Sequence, residues 1–227
     1  MNILGLIPAR KDSKSIPDKN VAPLGREPLI WHVIQTGLMS EKINHLVCST
    51  DCEKVKEICW EHGIEVQYRP RSMAQDDSPI IDVIKFVVEN QSEEFDAVVL
   101  LQPTSPFLFP DHIDECVKAL EEDNTLNSAQ TIAPLPHNHH AFNQRMVTDG
   151  NVEFVFKEER KKCYNKQLKP THYIFGNVVV TRTRALNDGV FAEPSKGILI
   201  DFYDAMDVDT FDDLIMAERL LRDRWNK

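Results

Sequence analysis

Five consecutive apolar residues, Ala97-Val98-Val99-Leu100-Leu101, read as a strand buried on both faces, because a strand with one wet face would alternate apolar and polar side chains. Such strands belong to sheets covered by helices on each side. The rest of the chain supplies that order: β-rich apolar runs at Ile3–Ile7, His45–Ser49, Glu65–Tyr68 and Ser128–Ile132 alternate with amphipathic stretches at Leu29–Met39, Cys52–His62, Ile80–Glu89 and His112–Leu120. Tyr173–Thr181 returns to strand character, Ile198–Ile200 adds a short strand, and Asp212–Arg222 makes a closing helix. The expectation is an α/β fold, a three-layer Rossmann-like arrangement with a mixed, mostly parallel sheet. Ligands in such folds bind beyond the carboxyl ends of the strands. The loop after Ile7 and the Gln102–Pro106 loop both lie at that edge and are predicted to face a common cleft.

At 227 residues the chain suffices for a single domain, 1–227, with an appendage. A net charge of −10 argues against nucleic acid or an anionic membrane as partner, although small anions can still be held locally. No apolar run approaches the roughly 20 residues that span a bilayer, and MNILGLIPAR lacks the basic start of a signal peptide, so a cytoplasmic location is expected. Cys48, Cys52, Cys59, Cys116 and Cys163 are odd in number and scattered, as free thiols are in a reducing compartment. Cys48-x-x-x-Cys52 has no second pair, and Cys48 reads as a small buried hydrophobe.

Directly after the first strand comes a basic loop, Arg10 to Asn20, in which Arg10, Lys14 and Lys19 are interleaved with Ser13, Ser15 and turn-formers. Backbone N–H groups and these charges can converge on one polyanion, as a nucleoside triphosphate would require. There is no G-x-G-x-x-G and no G-x-x-x-x-G-K-[ST], which disfavours a dehydrogenase or a P-loop ATPase.

Two further segments stand out. From Pro134 to Thr171 the periodicity fails and cations accumulate in Lys157-Glu158-Glu159-Arg160-Lys161-Lys162 and Lys166; the segment reads as an inserted arm, about 134–171, or as a surface excursion. His137, His139 and His140 lack the further close ligands that zinc needs, so they are expected to shape the arm or a binding site. Near the end, Asp207 and Asp209 at i, i+2 in an extended segment put two carboxylates on one side of the chain, as Mg²⁺ would use, while Asp207-Val208-Asp209-Thr210 before a helix is equally an ordinary N-cap followed by first-turn acids.

Ile7-Pro8-Ala9-Arg10 with Ser13-Lys14, Ile16-Pro17 and Lys19-Asn20 resembles the signature loop of the acylneuraminate cytidylyltransferases, usually IPARGGSKGIPGKN, with Lys11, Asp12, Ser15 and Asp18 standing where that family has glycine. Tyr68-Arg69-Pro70, Leu101-Gln102-Pro103-Thr104-Ser105-Pro106 and Asp207-Val208-Asp209-Thr210 match in the same order, so the resemblance spans nearly the whole chain. It implies transfer of CMP from CTP to a sialic-acid-like 2-keto sugar acid. Arg10 and Lys19 would form the phosphate clamp, with Ser13 and Lys14 beside them, and Asn20 and Arg69 would contact the nucleotide. Ser78 resembles part of the base-recognition loop, although a helix N-cap with Pro79 at the first helical position fits as well. Gln102, Thr104 and Ser105 would meet the acceptor sugar, and Asp207 and Asp209 would hold Mg²⁺; Arg10, Lys19 and Asp209 are the residues expected to carry catalysis. The arm would be exchanged within a homodimer and help build the acceptor site. Phe175-Gly176-Asn177 and Val179 stand where relatives acting on N-acetylneuraminate have Asn-Gly and an aromatic, which leaves the sugar open. The enzyme for the eight-carbon acid Kdo is an alternative, but its loop usually carries Arg-hydrophobe-Pro-Gly-Lys-Pro; a nucleotide-binding homologue without turnover is another.

Overall fold

The computed structural model describes residues 1–225 apart from Asp12 and Asp76. In chain order the elements are β1 (Ile3–Ala9), the short pair β2 (Pro23–Leu24) and β3 (Glu27–Pro28), α1 (Leu29–Met39), β4 (His45–Thr50), α2 (Glu53–Glu61), β5 (Glu65–Tyr68), α3 (Ile80–Glu89), β6 (Ala97–Leu101), α4 (Pro110–Glu122), β7 (Ser128–Pro134), β8 (Arg145–Thr148), β9 (Asn151–Phe154), α5 (Lys157–Lys162), β10 (Tyr173–Arg182), β11 (Ser195–Leu199) and α6 (Phe211–Trp225). Among the described residues seven strands form one sheet, in the order β11-β7-β10-β6-β1-β4-β5. Only β10 runs antiparallel to its neighbours β6 and β7. The expected mixed, mostly parallel sheet is therefore present, with its carboxyl edge formed by the ends of β1, β4, β5, β6 and β7.

The central strands are buried on both faces, and their side chains divide with a period of two. Ile3 and Ile7 of β1 and Ala97, Val99 and Leu101 of β6 join the cluster under α1, α2 and α4, while Leu4, Leu6, Val98 and Leu100 join the one under α3. Each large aliphatic side chain so buried contributes about 1.5–3 kcal/mol. Cys48, Cys59 and Cys116 lie in the first cluster as fully buried thiols, and burial pushes the Cys116 thiol up to about 12. A third cluster (Ile16, Leu24, Leu29, Phe107, Val208, Ala217 and Leu221) gathers the loop after β1, the loop after β6, the segment before α6 and the inner face of α6.

Two elements differ from expectation. The last strand is Ser195–Leu199 rather than Ile198–Ile200; it adds to the sheet edge beside β7 through backbone pairing, although Lys196 and Gly197 are exposed and give no apolar signal. The arm is also more ordered than its lost periodicity suggested: it contains the β8–β9 hairpin and the short helix α5. Arg145 and Arg160 cover the Phe154 ring at 4.6 and 4.9 Å, a packing based on cations rather than on an apolar stripe. No helix among the described residues is long and apolar enough to cross a membrane.

Candidate active site

The carboxyl ends of β1, β5 and β6 surround a cavity of about 260 Å³ whose wall includes Arg10, Ser13, Lys19, Asn20, Arg69, Ser78, Gln102 and Thr104. Residues expected from three separate stretches of sequence are thus brought together. Lys14 and Ser105 are not in that wall; Lys14 is exposed on the loop. Ser105 is buried in the turn that follows Gln102, where its N–H donates to the Gln102 carbonyl at 3.0 Å and its own carbonyl accepts from Leu108 N–H at 3.2 Å. Pro103 and Pro106 flank it in that turn and fix the backbone there. A larger open groove, about 720 Å³, runs beside α6 past Pro23 and Gly25, but none of the residues expected at the site lines it.

Of the described residues that stand where the resembled loop has glycine, Lys11, Ser15 and Asp18, only Asp18 has a positive φ. Asp18 occupies the glycine position before Lys19 and adopts the left-handed conformation, φ 53° and ψ 36°, which aspartate tolerates better than most residues. Its carboxylate pairs with Lys54 of α2 at 2.6 Å, which holds its pKa below the ordinary aspartate value. Asn20 Nδ2 donates to the Arg10 carbonyl at 2.9 Å and closes the loop, and Lys11 N–H donates to Asp51 at 2.7 Å. Ile16, 1% exposed, plugs the middle of the loop into the third apolar cluster. Asp12 lies outside the described residues.

Arg69 is 4% exposed. Its N–H extends the β5 end by donating to the Thr50 carbonyl at 3.0 Å, and Nε reaches Ser49 Oγ at 3.4 Å, but Nη2 is buried without a partner. Desolvation lowers its pKa from the usual arginine range, yet arginine stays charged. A buried donor without an acceptor, in the wall of a cavity, is a group built for a ligand oxygen. Ser78 also lines the cavity. The helix-cap reading for it fails: α3 begins at Ile80, Pro79 holds the cap position, and Ser78 Oγ donates to the Ser72 carbonyl at 3.2 Å.

The D-V-D segment lies at the cavity rim. Val208 is buried and its N–H donates to the Thr104 carbonyl at 2.8 Å, so alternation sends Asp207 and Asp209 outward together. Lys19 Nζ donates to Asp209 at 2.9 Å. Burial raises the Asp207 carboxyl above its ordinary value against a hydrogen bond from Thr104, and Asp209 adds to the rise. The cap reading holds at the same time: Thr210 Oγ accepts from Asp213 N–H at 3.2 Å, and Asp213 accepts from the N–H groups of Asp209 and Thr210 at 3.1 and 2.7 Å. Asp213 is thereby occupied with backbone, leaving Asp207 and Asp209 as two hard oxygen donors side by side. No group of three or more His, Cys, Asp or Glu side chains among the described residues could hold a metal, so a cation on this pair must complete its shell with ligand oxygens and water, as Mg²⁺ commonly does.

Asn177 is consumed by structure. Its Nδ2 reaches the carbonyls of Phe107 and Asp204 at 3.3 and 2.9 Å, and its N–H donates to Thr131 Oγ at 2.8 Å. The bulge in β10 between Phe175 and Val179 needs Gly176, because a Cβ there would collide with Thr131 and Ile200. His140 is buried, bonds to the Pro170 carbonyl at 3.0 Å and stacks on His172 at 4.0 Å, which ties the two legs of the arm together; His137 and His139 are exposed. Sequence reasoning missed Met73, Gln75, Ile80 and Val83 in the cavity wall, and Lys54 as the partner of Asp18. A cation two residues into a helix that follows the neighbouring strand was the available sign of the latter.

Residues 4–190 match the cytidylyltransferase family. The chain is 29% identical over 230 residues to a CMP-N,N'-diacetyllegionaminic acid synthase of Legionella pneumophila, covering 97% of both proteins. It is 29% identical over 224 residues to an N-acylneuraminate cytidylyltransferase of Streptococcus agalactiae serotype V, covering 95% of this chain and 52% of that protein, about half its length. A pseudaminic acid cytidylyltransferase of Campylobacter jejuni is 25% identical over 229 residues, 98% of this chain and 97% of the relative. Among solved structures, CMP:2-keto-3-deoxy-manno-octonic acid synthetase complexed with CTP superposes with a TM-score of 0.77 at 15% identity over 99% of this chain and 100% of that one, a likeness of fold.

Proposed function

The chain belongs to the cytidylyltransferase family, and on that premise we propose that it transfers CMP from CTP to the anomeric hydroxyl of a sialic-acid-like 2-keto sugar acid, releasing pyrophosphate. The observation that carries this reading is the convergence of Arg10, Ser13, Lys19, Asn20, Arg69 and Ser78 with Gln102 and Thr104 on one cavity at the carboxyl edge. Arg10 and Lys19 clamp the phosphates, and the N–H groups of the loop add donors without the reorganisation that water would need. Arg69 Nη2 gives its unused hydrogen bond to the nucleotide. Gln102 and Thr104 orient the acceptor so that its hydroxyl approaches the α-phosphorus in line with the departing pyrophosphate. Asp207 and Asp209 would hold Mg²⁺, whose chemistry when bound is to screen the α-phosphate and lower the pKa of the attacking hydroxyl.

Relatives named for legionaminic, neuraminic and pseudaminic acids support a sialic-acid-like acceptor, and the residues of the loop after β1 do not follow the Kdo-type pattern. The left-handed Asp18 supports nucleotide binding by this loop, since it keeps a glycine-like backbone beside Lys19. A cytoplasmic location is part of this reading, and the free thiols support it.

The arm supports a homodimer. Met146, Val147, Val152, Val155, Tyr164 and Leu168 are exposed, an apolar surface that a second copy would cover. Arg160 and Lys169 both donate to Asn143 Oδ1, at 2.6 and 2.7 Å, and reach no carboxylate among the described residues, which suits them to an acid on a neighbouring subunit's substrate. Pyrophosphate release from CTP, measured across sialic, legionaminic, pseudaminic and Kdo-type acids, tests the proposal. Release with a sialic-type acid is expected; none with any acid would overturn it.

A further inference from the structure

Lys19 has two claims on it. Its ammonium donates to Asp209 at 2.9 Å, and it also lines the cavity where the phosphates would lie. The side chain is 14% exposed, while that of Asp209 is 70% exposed, so the lysine end is enclosed and the carboxylate end is open to an incoming ion. Asp207 stands beside Asp209, and Asp213 is already committed to the Asp209 and Thr210 N–H groups. A single ammonium therefore serves a pair of carboxylates whose charge it only half balances.

We infer that Lys19 is the resident counter-ion of the Asp207–Asp209 pair and that a divalent cation displaces it, handing its ammonium to the nucleotide phosphates. The inference rests on the reading of these aspartates as the cation pair. A dication neutralises both carboxylates, which a single ammonium cannot do, and the displaced charge is then free for the polyanion. The backbone need not move for this. Ile16 is buried, Asp18 is paired with Lys54 and Asn20 is bonded to the Arg10 carbonyl, so the loop is pinned on both sides of Lys19, and only its flexible four-carbon stem must swing. Cation and nucleotide then assist each other's binding through one side chain, and the assistance is reciprocal.

The test uses Mn²⁺ alone on the full chain, with free Mn²⁺ followed by electron paramagnetic resonance and no CTP present. Lys19→Met should bind Mn²⁺ more tightly than the unmodified chain, by roughly two- to fivefold, the scale of one partly exposed ion pair; Lys19→Gln, which keeps a polar stem, should do the same. Calorimetry with CTP adds the second half: Mn²⁺ should raise CTP affinity in the unmodified chain by a larger factor than in either variant. Equal or weaker Mn²⁺ binding by both variants would overturn the exchange, and if Asp209→Asn still loses Mn²⁺ the cation pair itself would stand. Mn²⁺ binding that survives unchanged in Asp209→Asn, or is absent from the unmodified chain, would remove both the pair and the inference.

Discussion

Ile16, in the loop after β1, and Val208, between the two outward aspartates, are buried in the same apolar cluster. The cationic and anionic sides of the site are thereby fixed to one another through hydrocarbon. Ile16→Ala should cost about 2–4 kcal/mol of stability and also weaken CTP binding, since the loop loses its plug. Urea unfolding and a CTP titration read the two effects; an unchanged CTP affinity in the folded variant would show that the cluster does not hold the loop.

Arg10→Ala should weaken CTP binding by roughly 1.5–3 kcal/mol, the size of a charge-assisted contact. Arg69→Met should lower CTP affinity as well but leave the urea midpoint unchanged or higher, because it removes a buried charge with an unsatisfied donor. A large loss of stability in Arg69→Met would mean that the guanidinium is structural.

Asp209→Asn should abolish turnover with the fold intact, whereas Asp207→Asn should raise the Mg²⁺ concentration needed for half-maximal rate. Circular dichroism and pyrophosphate release at graded Mg²⁺ distinguish the two. Full activity in both variants would sink the metal assignment.

Burial lowers the pKa of His32, which donates Nε2–H to the Leu24 carbonyl at 3.2 Å, and likewise of His112 despite Asp204 nearby. Both imidazoles bind protons more readily in the unfolded chain, so their contribution to stability is present above pH 6.5 and is lost as the pH falls through that value toward the folded pKa values. Urea unfolding compared at pH 7 and pH 5 should show lower stability at the lower pH. Imidazole resonances followed by NMR should titrate below pH 6.5 in the native protein; titration above it would contradict the assignment.

Light scattering at micromolar concentration should report a homodimer. Tyr164→Ala mixed with Arg10→Ala should then recover some activity through mixed dimers, if the arm completes the neighbouring acceptor site. A fully active monomer would refute the dimer and the shared site together, and confirmed mixed dimers without recovery would refute the sharing.

What could be read from the sequence followed the strength of the local signal. Leu29–Met39, Glu65–Tyr68, Ile80–Glu89 and Ala97–Leu101 fold with the expected bounds because their apolar spacing leaves little choice. Of Ser195–Leu199 only the apolar end was legible, since the rest of an edge strand held by backbone pairing to β7 carries no hydrophobic pattern, and β8–β9 escaped because their exposed faces do not repeat. Within the site, charged residues in a loop after a strand were legible, whereas Met73, Ile80 and Val83 look like any other apolar residues until the fold turns them toward the cavity. Ser105 shows the converse, a hydroxyl with binding chemistry that the turn buries.

Pro134 and Tyr173 are register partners on adjacent antiparallel strands, and Leu135 N–H donates to the His172 carbonyl at 2.9 Å. The excursion between them thus leaves and re-enters the sheet at one point, as the loop of a hairpin does. Topologically it is a cassette: its length and composition can drift, or be replaced wholesale by a tight turn, without altering a single pairing in the strands that carry the nucleotide site. The excursion can therefore evolve on a different clock from the cavity at the carboxyl edge.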